Sequence, residues 1–177
     1  MEDEQNRARF EILLLPLMND AYNLARWLMK NQEDAEDMVQ ESYLRAFRFF
    51  GSFREGANCR VWFLRVVRNT CYTGLGVREQ KQNQVPLGPE VDEIADSAPL
   101  PSVSISRKAT VEAVREAIAL LPVDFREVVV LRELEGLAYK EISEITGVPL
   151  GTVMSRLARG RNQLSLMLAN QKQSDQL

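Results

Sequence analysis

The chain has 177 residues, a formal net charge of −3 and an apolar share of 45%, enough for one folded domain or two small ones. It contains no histidine, and its two cysteines, Cys59 and Cys71, do not form a CxxC pair, which argues against a metal centre or a disulfide framework. No apolar run is long enough to span a membrane and the acidic start MEDEQNRARFE lacks a signal-peptide pattern, so a cytoplasmic protein is expected.

Glycine and proline are few and β-branched alternation is scarce, which predicts an all-α chain. The first helical segment carries Phe10, Leu13, Leu14 and Leu17, then Tyr22, Leu24, Ala25 and Leu28, with Pro16 placed to interrupt it. A second helix is predicted over 34–50, DAEDMVQESYLRAFRFF, with Asp34 as its N-cap. Its core face is Ala35, Val39, Ser42, Ala46, Phe49 and Phe50. Asp37, Gln40, Glu41, Leu44 and Arg48 form a stripe on another face, most simply a solvated charged surface.

A loop at 51–58 leads into a third helix from about Cys59. Leu64, Val67 and Cys71 share its inward face; Trp62, Arg65, Asn69 and Tyr72 share another. Aromatics interleaved with arginine and an amide suit single-stranded nucleic acid, where bases stack on rings and cations track the backbone. The loop Phe53–Asn58 offers polar edges for a flipped base. The plainer alternative makes Trp62 and Tyr72 core aromatics, and Cys71 a small buried hydrophobe.

Residues 78–106 contain Pro86, Pro89, Pro99 and Pro101 with an acidic balance, which opposes a packed core and predicts a flexible linker between domains at 1–77 and 107–177. A helix from about Arg107 carries Val111, Val114, Ile118 and Leu121; Leu121-Pro122 breaks it, and another covers 124–135. Tyr139, Ile142 and Ile145 then recur at helical spacing until Thr146-Gly147-Val148-Pro149 ends the run. A further helix from Leu150 to Leu164 has Val153, Leu157 and Leu164 inward, with Gly160 on the same side. Thr152, Ser155, Arg156, Arg159 and Gln163 lie on another face. Two helices on a tight glycine turn make a helix-turn-helix, whose second helix enters the DNA major groove. A plain helical hairpin with solvated arginines is the alternative. The net negative charge does not oppose DNA binding, because Arg54, Arg60, Arg65, Arg68 and Arg78 face only Glu55 within 52–78.

Three of these stretches together resemble the extracytoplasmic-function sigma factors of bacterial RNA polymerase. DAEDMVQESYLRAF (34–47) is similar to the family's polymerase-binding helix. FREGANCRVWFLRVVRN (53–69) is similar to its −10-element segment, and LPVDFREVVVLRELEGLAYKEISEITGVPLGTVMSRLARGR (121–161) to its −35-element domain. The resemblance implies an all-α protein of two helical domains on a flexible linker, the second containing the helix-turn-helix. It would be a specificity subunit with no catalytic residues, cofactor or metal of its own.

The resemblance also implies residue roles. Asp37, Gln40, Glu41, Leu44 and Arg48 would bind core polymerase. Phe53, Arg54, Asn58, Trp62, Arg65, Asn69 and Tyr72 would serve the −10 element, and Arg132, Thr152, Ser155, Arg156 and Arg159 the −35 element. Arg159 and Ser155 are assigned to bases, Thr152 and Arg156 to phosphates. Met154 stands where the family often has a basic residue, and the glycines after Asn69 predict an early end to the −10 helix. The linker would thread the polymerase channels. The implied partners are core RNA polymerase, promoter DNA and an anti-sigma factor, often membrane-anchored, with no membrane insertion by the chain itself. A helix-turn-helix regulator with a helical sensor or dimerisation domain is the alternative, and it leaves the 34–69 motifs unexplained.

Overall fold

The computed structural model describes residues 1–76 and 107–174, so the predicted linker at 78–106 lies outside the described residues. Every regular element among those residues is helical. Helix α1 (Glu2–Leu14) runs into a 3-10 turn at Leu15–Leu17 and then α2 (Met18–Met29). Pro16 sits in that turn, where its missing N–H breaks the helical ladder. Ala21, Leu24, Ala25 and Leu28 recur one helical turn apart and are all buried. Helix α2 ends on Lys30, whose φ of 62° is left-handed without being glycine.

Helix α3 (Gln32–Phe49) starts earlier than expected. Asn31, not Asp34, is the N-cap: its Oδ1 accepts the Asp34 backbone N–H at 3.1 Å. Ala35, Val39, Ser42 and Ala46 face inward as predicted, and small residues at three of these positions let α3 lie close to its neighbours. Phe49 does not: it is 63% exposed, because the chain tightens into a 3-10 turn at Phe50–Ser52 and only Phe50 swings inward. The Tyr43 hydroxyl donates to the Leu14 carbonyl at 2.8 Å and ties α3 to α1.

Helix α4 (Cys59–Gly74) lies at the centre of the molecule. Asn58 caps it, accepting the Val61 N–H at 3.2 Å. One side of α4 packs on α2 and α3. The other meets the second half of the chain, and Val61, Phe63, Leu64, Val67, Thr70, Cys71 and Tyr72 are all buried. Such wide burial exceeds the single inward face read from the sequence. The helix reaches Gly74, five residues past Asn69. Burial pushes the Cys71 thiol up to about 12. Kept protonated and 0% exposed, Cys71 should resist maleimide until the chain unfolds. Half-buried Cys59 should be labelled first; rapid native labelling of Cys71, read by mass spectrometry, would contradict this packing.

The second half comprises α5 (Arg107–Leu120), α6 (Val123–Val129), α7 (Tyr139–Thr146) and α8 (Leu150–Ser174). Helix α6 continues into a five-residue π-helical stretch, Val130–Leu134. The turn between α7 and α8 uses Gly147 at φ 72°, and the Ser143 hydroxyl donates to the Val148 carbonyl at 2.6 Å. Helix α8 buries Val153, Leu157 and Leu164 as predicted and runs ten residues beyond Leu164. Gly160 faces α6 so closely that a Cβ there would stand 2.8 Å from Val129 Cγ2. The buried residues of both halves form one continuous apolar cluster.

Candidate nucleic-acid interface

Three surfaces carry the residues singled out from the sequence. On α3, Asp37, Gln40, Leu44 and Arg48 are exposed, while half-buried Glu41 accepts from Arg45 at 2.9 Å, one turn on. Leu44 is 53% exposed and Phe47 51%, so an apolar strip runs through this polar face.

The second surface is the 53–58 loop with the start of α4. Phe53 is buried, stacked on Phe50 with centroids 5.8 Å apart, and its ring lies 5.2 Å from Trp62. The Arg9 guanidinium sits over both phenyl rings, at 5.5 and 5.8 Å. This cluster fixes the loop, and Gly56 supplies its turn at φ 82°. Phe53 thus supports the surface from below. Trp62 is half-exposed, with exposed Arg54, Asn58 and Arg65 around it and half-buried Asn69 two turns along the helix. Tyr72 is not on this face: it is 1% exposed and its hydroxyl donates to Asp124 Oδ1 at 3.2 Å. Burial first, and then the Glu127 charge, raise its phenol well above the ordinary value.

The third surface is the outer side of α7–turn–α8. Arg159 is exposed, and Thr152 and Ser155 are partly so, with the Ser155 hydroxyl donating to the Thr152 carbonyl at 3.1 Å. Arg132 lies near the motif but is held: its Nη1 donates to the Leu137 carbonyl at 2.9 Å and its guanidinium covers the Tyr139 ring at 4.7 Å. Arg156 turns away from this surface. Its guanidinium lies 3.7 Å from carboxylate oxygens of both Asp124 and Glu127, with only 18% of the side chain exposed. In this conformation it is not available to a phosphate.

The sequence reading missed Arg60 and Arg68. With Leu64 and Tyr72 they stand every fourth residue along α4, on the side facing the second half. Arg68 makes a bidentate pair with Glu127, Nε to Oε2 at 2.8 Å and Nη2 to Oε1 at 3.0 Å, and its guanidinium lies 3.7 Å from the Tyr72 ring centre. Burial alone would lower the Arg68 pKa; Glu127 overrides it and the net shift is upward. Arg60 holds Asp20 at 2.7 Å and Glu135 Oε2 at 3.1 Å, and the Asn58 amide donates to Glu141 Oε1 at 3.3 Å. Burial, then Asp20, pushes the Glu135 carboxyl above its usual range against the opposing pull of Arg60. Their eight-residue, two-turn spacing puts Arg60 and Arg68 on one face of α4 but does not mark that face as covered.

Residues 13–80 match the family model of Sigma-70 region 2, and residues 111–164 that of Sigma-70, region 4. The ECF RNA polymerase sigma factor SigM of Mycobacterium tuberculosis is 32% identical over 163 residues, covering 92% of this chain and 79% of SigM. The ECF RNA polymerase sigma factor SigE of Mycolicibacterium smegmatis is 36% identical over 148 residues, which span 84% of this chain but only 57% of SigE. Among solved structures, the sigma factor RpoE of Bartonella quintana, crystallised with the anti-sigma factor NepR, aligns with a TM-score of 0.67. That alignment has 27% identity and covers 91% of this chain and 97% of RpoE.

Proposed function

Since the chain belongs to the ECF sigma factors of bacterial RNA polymerase, we propose that it binds core polymerase, directs it to −10 and −35 promoter elements in the cytoplasm, and is held in check by an anti-sigma factor. The observation that carries this reading is the succession of a region 2 match and a region 4 match on one chain, in that order. A stand-alone helix-turn-helix regulator has no use for the first. The likeness to RpoE, which was crystallised with an anti-sigma factor, supports the regulatory partner. No helix among the described residues is long and apolar enough to cross a membrane.

In this reading α3 docks on polymerase through Asp37, Gln40, Glu41, Leu44 and Arg48. Exposed Leu44 contributes apolar area and the polar residues fix register. Trp62, with Arg54, Asn58, Arg65 and Asn69 around it, takes unpaired −10 bases by stacking and amide contacts. Phe53 holds Trp62 in place, and Tyr72 reaches DNA only when the two halves part. Helix α8 presents Thr152, Ser155 and Arg159 to the −35 major groove, with Arg132 and a released Arg156 beside it. The polymerase supplies the chemistry.

Transcription by core polymerase on promoter-bearing genomic DNA tests the reading directly; no specific transcript with any template would refute it. A narrower expectation concerns docking. The double variant Gln40→Ala, Glu41→Ala should weaken polymerase binding severalfold, yet cost no more than about 0.5 kcal/mol at exposed Gln40 and about 1 kcal/mol at half-buried Glu41, which also loses its pair with Arg45. Calorimetric melting and a polymerase pull-down check both halves of that statement. Asn58 needs more care, because it also caps α4: Asn58→Ala loses a cap worth about 1 kcal/mol along with any base contact. Asn58→Ser keeps a capping oxygen without setting a second carboxylate against Glu141 and is the cleaner variant.

A further inference from the structure

No residue of α1 has been given a role with DNA or polymerase, yet this helix reaches the loop that serves the −10 element. Arg9 makes the approach. Its guanidinium lies 5.5 Å from the ring centre of Phe50 and 5.8 Å from that of Phe53, and both rings are buried. Phe53 in turn lies against half-exposed Trp62, with ring centres 5.2 Å apart. Arg9 and Trp62 therefore stand on neighbouring parts of one aromatic cluster, one bringing a charge and the other a stacking face. The helix that carries Arg9 is tied down on two sides. The Tyr43 hydroxyl donates to the Leu14 carbonyl, and the Cys59 thiol, at the start of α4, lies 3.9 Å from the Leu13 carbonyl.

The Arg9 charge is not neutralised inside the protein. Its carboxylate neighbour among the described residues is Glu55, at 3.7 Å, beyond normal hydrogen-bond reach. The Glu55 side chain is 87% exposed, and an ion pair so open to water contributes little and is readily displaced. Arg60 and Arg68 differ, since both already donate to carboxylates at hydrogen-bond distance. The Arg9 side chain is 33% exposed beside the exposed Arg54 and Asn58. A guanidinium over a ring face keeps its N–H groups for other partners.

We propose that Arg9 is a further DNA-contacting residue, which binds a phosphate of the unpaired −10 strand while a base of the same stretch stacks on Trp62. The inference rests on the proposed function. Contact with two rings restrains the guanidinium before DNA arrives, and an arginine fork offers a phosphate two parallel N–H bonds. Such a contact carries no sequence information. It adds affinity and register to a surface whose selectivity comes from Trp62, Asn58 and Asn69. Glu55 holds Arg9 in the absence of DNA and yields to the strand.

The test uses holoenzyme and forked DNA whose −10 stretch is unpaired. A neutral methylphosphonate replaces each phosphate of that stretch in turn, and binding is compared for the wild-type chain, Arg9→Met and Glu55→Gln. Methionine still covers the two rings but brings no charge. On the unmodified strand Arg9→Met should bind about fivefold more weakly, and its salt slope should fall by about 0.7, as for one phosphate contact on a single strand. One methylphosphonate position should weaken the wild type by a similar factor and Arg9→Met no further, the mark of two groups in direct contact. Additive losses at every position would overturn the contact. So would a weaker Arg9→Met with an unchanged slope, which is what a purely structural role gives. Glu55→Gln alters only an exposed loop side chain and leaves the ring cluster alone. It should tighten binding about twofold by releasing Arg9, and lose that gain at the same methylphosphonate. No gain, or a gain that persists there, would also overturn the contact. Wild-type holoenzyme that binds forked and fully paired DNA alike refutes the proposed function, and the contact falls with it. Discrimination by the wild type without coupling to Arg9 refutes the contact alone.

Discussion

Phe63→Ala is expected to cost about 3–5 kcal/mol of stability, the range for removing a fully buried aromatic ring. Phe63 is 0% exposed and its ring lies 4.7 Å from that of Tyr43, so the substitution opens a cavity beside the α3–α4 contact. A loss of this size is a large share of the whole stability of a small protein. Denaturant titration followed by circular dichroism measures it. Phe49→Ala is the matched control: with that ring 63% exposed, the change should stay within about 0.5 kcal/mol. Equal losses at the two positions would mean that α3 and α4 pack differently in solution.

Arg159→Ala should carry the larger functional effect. Arg159 is the exposed arginine on the outer face of α8, and Thr152 and Ser155 precede it on the same stripe. If it reads a base, its loss costs roughly 1–3 kcal/mol and relaxes preference at one position of the −35 element. Arg156→Ala should act differently. As a phosphate contact in the open state, Arg156 contributes alike to all sequences, and its removal should lower the salt slope by about one unit. Holoenzyme binding to a −35 element randomised by position, at two salt concentrations, separates the two roles. Unchanged base preference in Arg159→Ala would move that residue to the backbone.

Periodicity was a sound guide wherever burial is decided within one helix and its immediate neighbours. Ala35, Val39, Ser42 and Ala46 on α3, and Val153, Leu157 and Leu164 on α8, all face inward as their spacing requires. The turn chemistry of Gly147 and Pro149 was equally local. Errors fall where something beyond the helix decides. Phe49 continues the inward stripe on paper, but α3 ends there and the ring is left outside. Asp34 looked like a cap, yet the left-handed Lys30 ends α2 early enough for Asn31 to take that place. Tyr72 shares a helical face with Trp62 in projection, but Asp124 from the second half of the chain meets it there and leaves it 1% exposed. Arg68 and Glu127 are 59 residues apart in sequence, and no local pattern distinguishes a charge that will be buried from one that stays wet.

The joint between α4 and α7 belongs to a single covalent chain, so opening and closing are first-order events. A homodimer that hid the same surfaces would come apart on dilution, and its hidden fraction would change with every change in expression. Here the open fraction is the same at any protein concentration. Synthesising more of the chain multiplies open and closed molecules alike and leaves their ratio untouched. Only a molecule that prefers one form shifts that ratio, and by no more than its difference in affinity for the two.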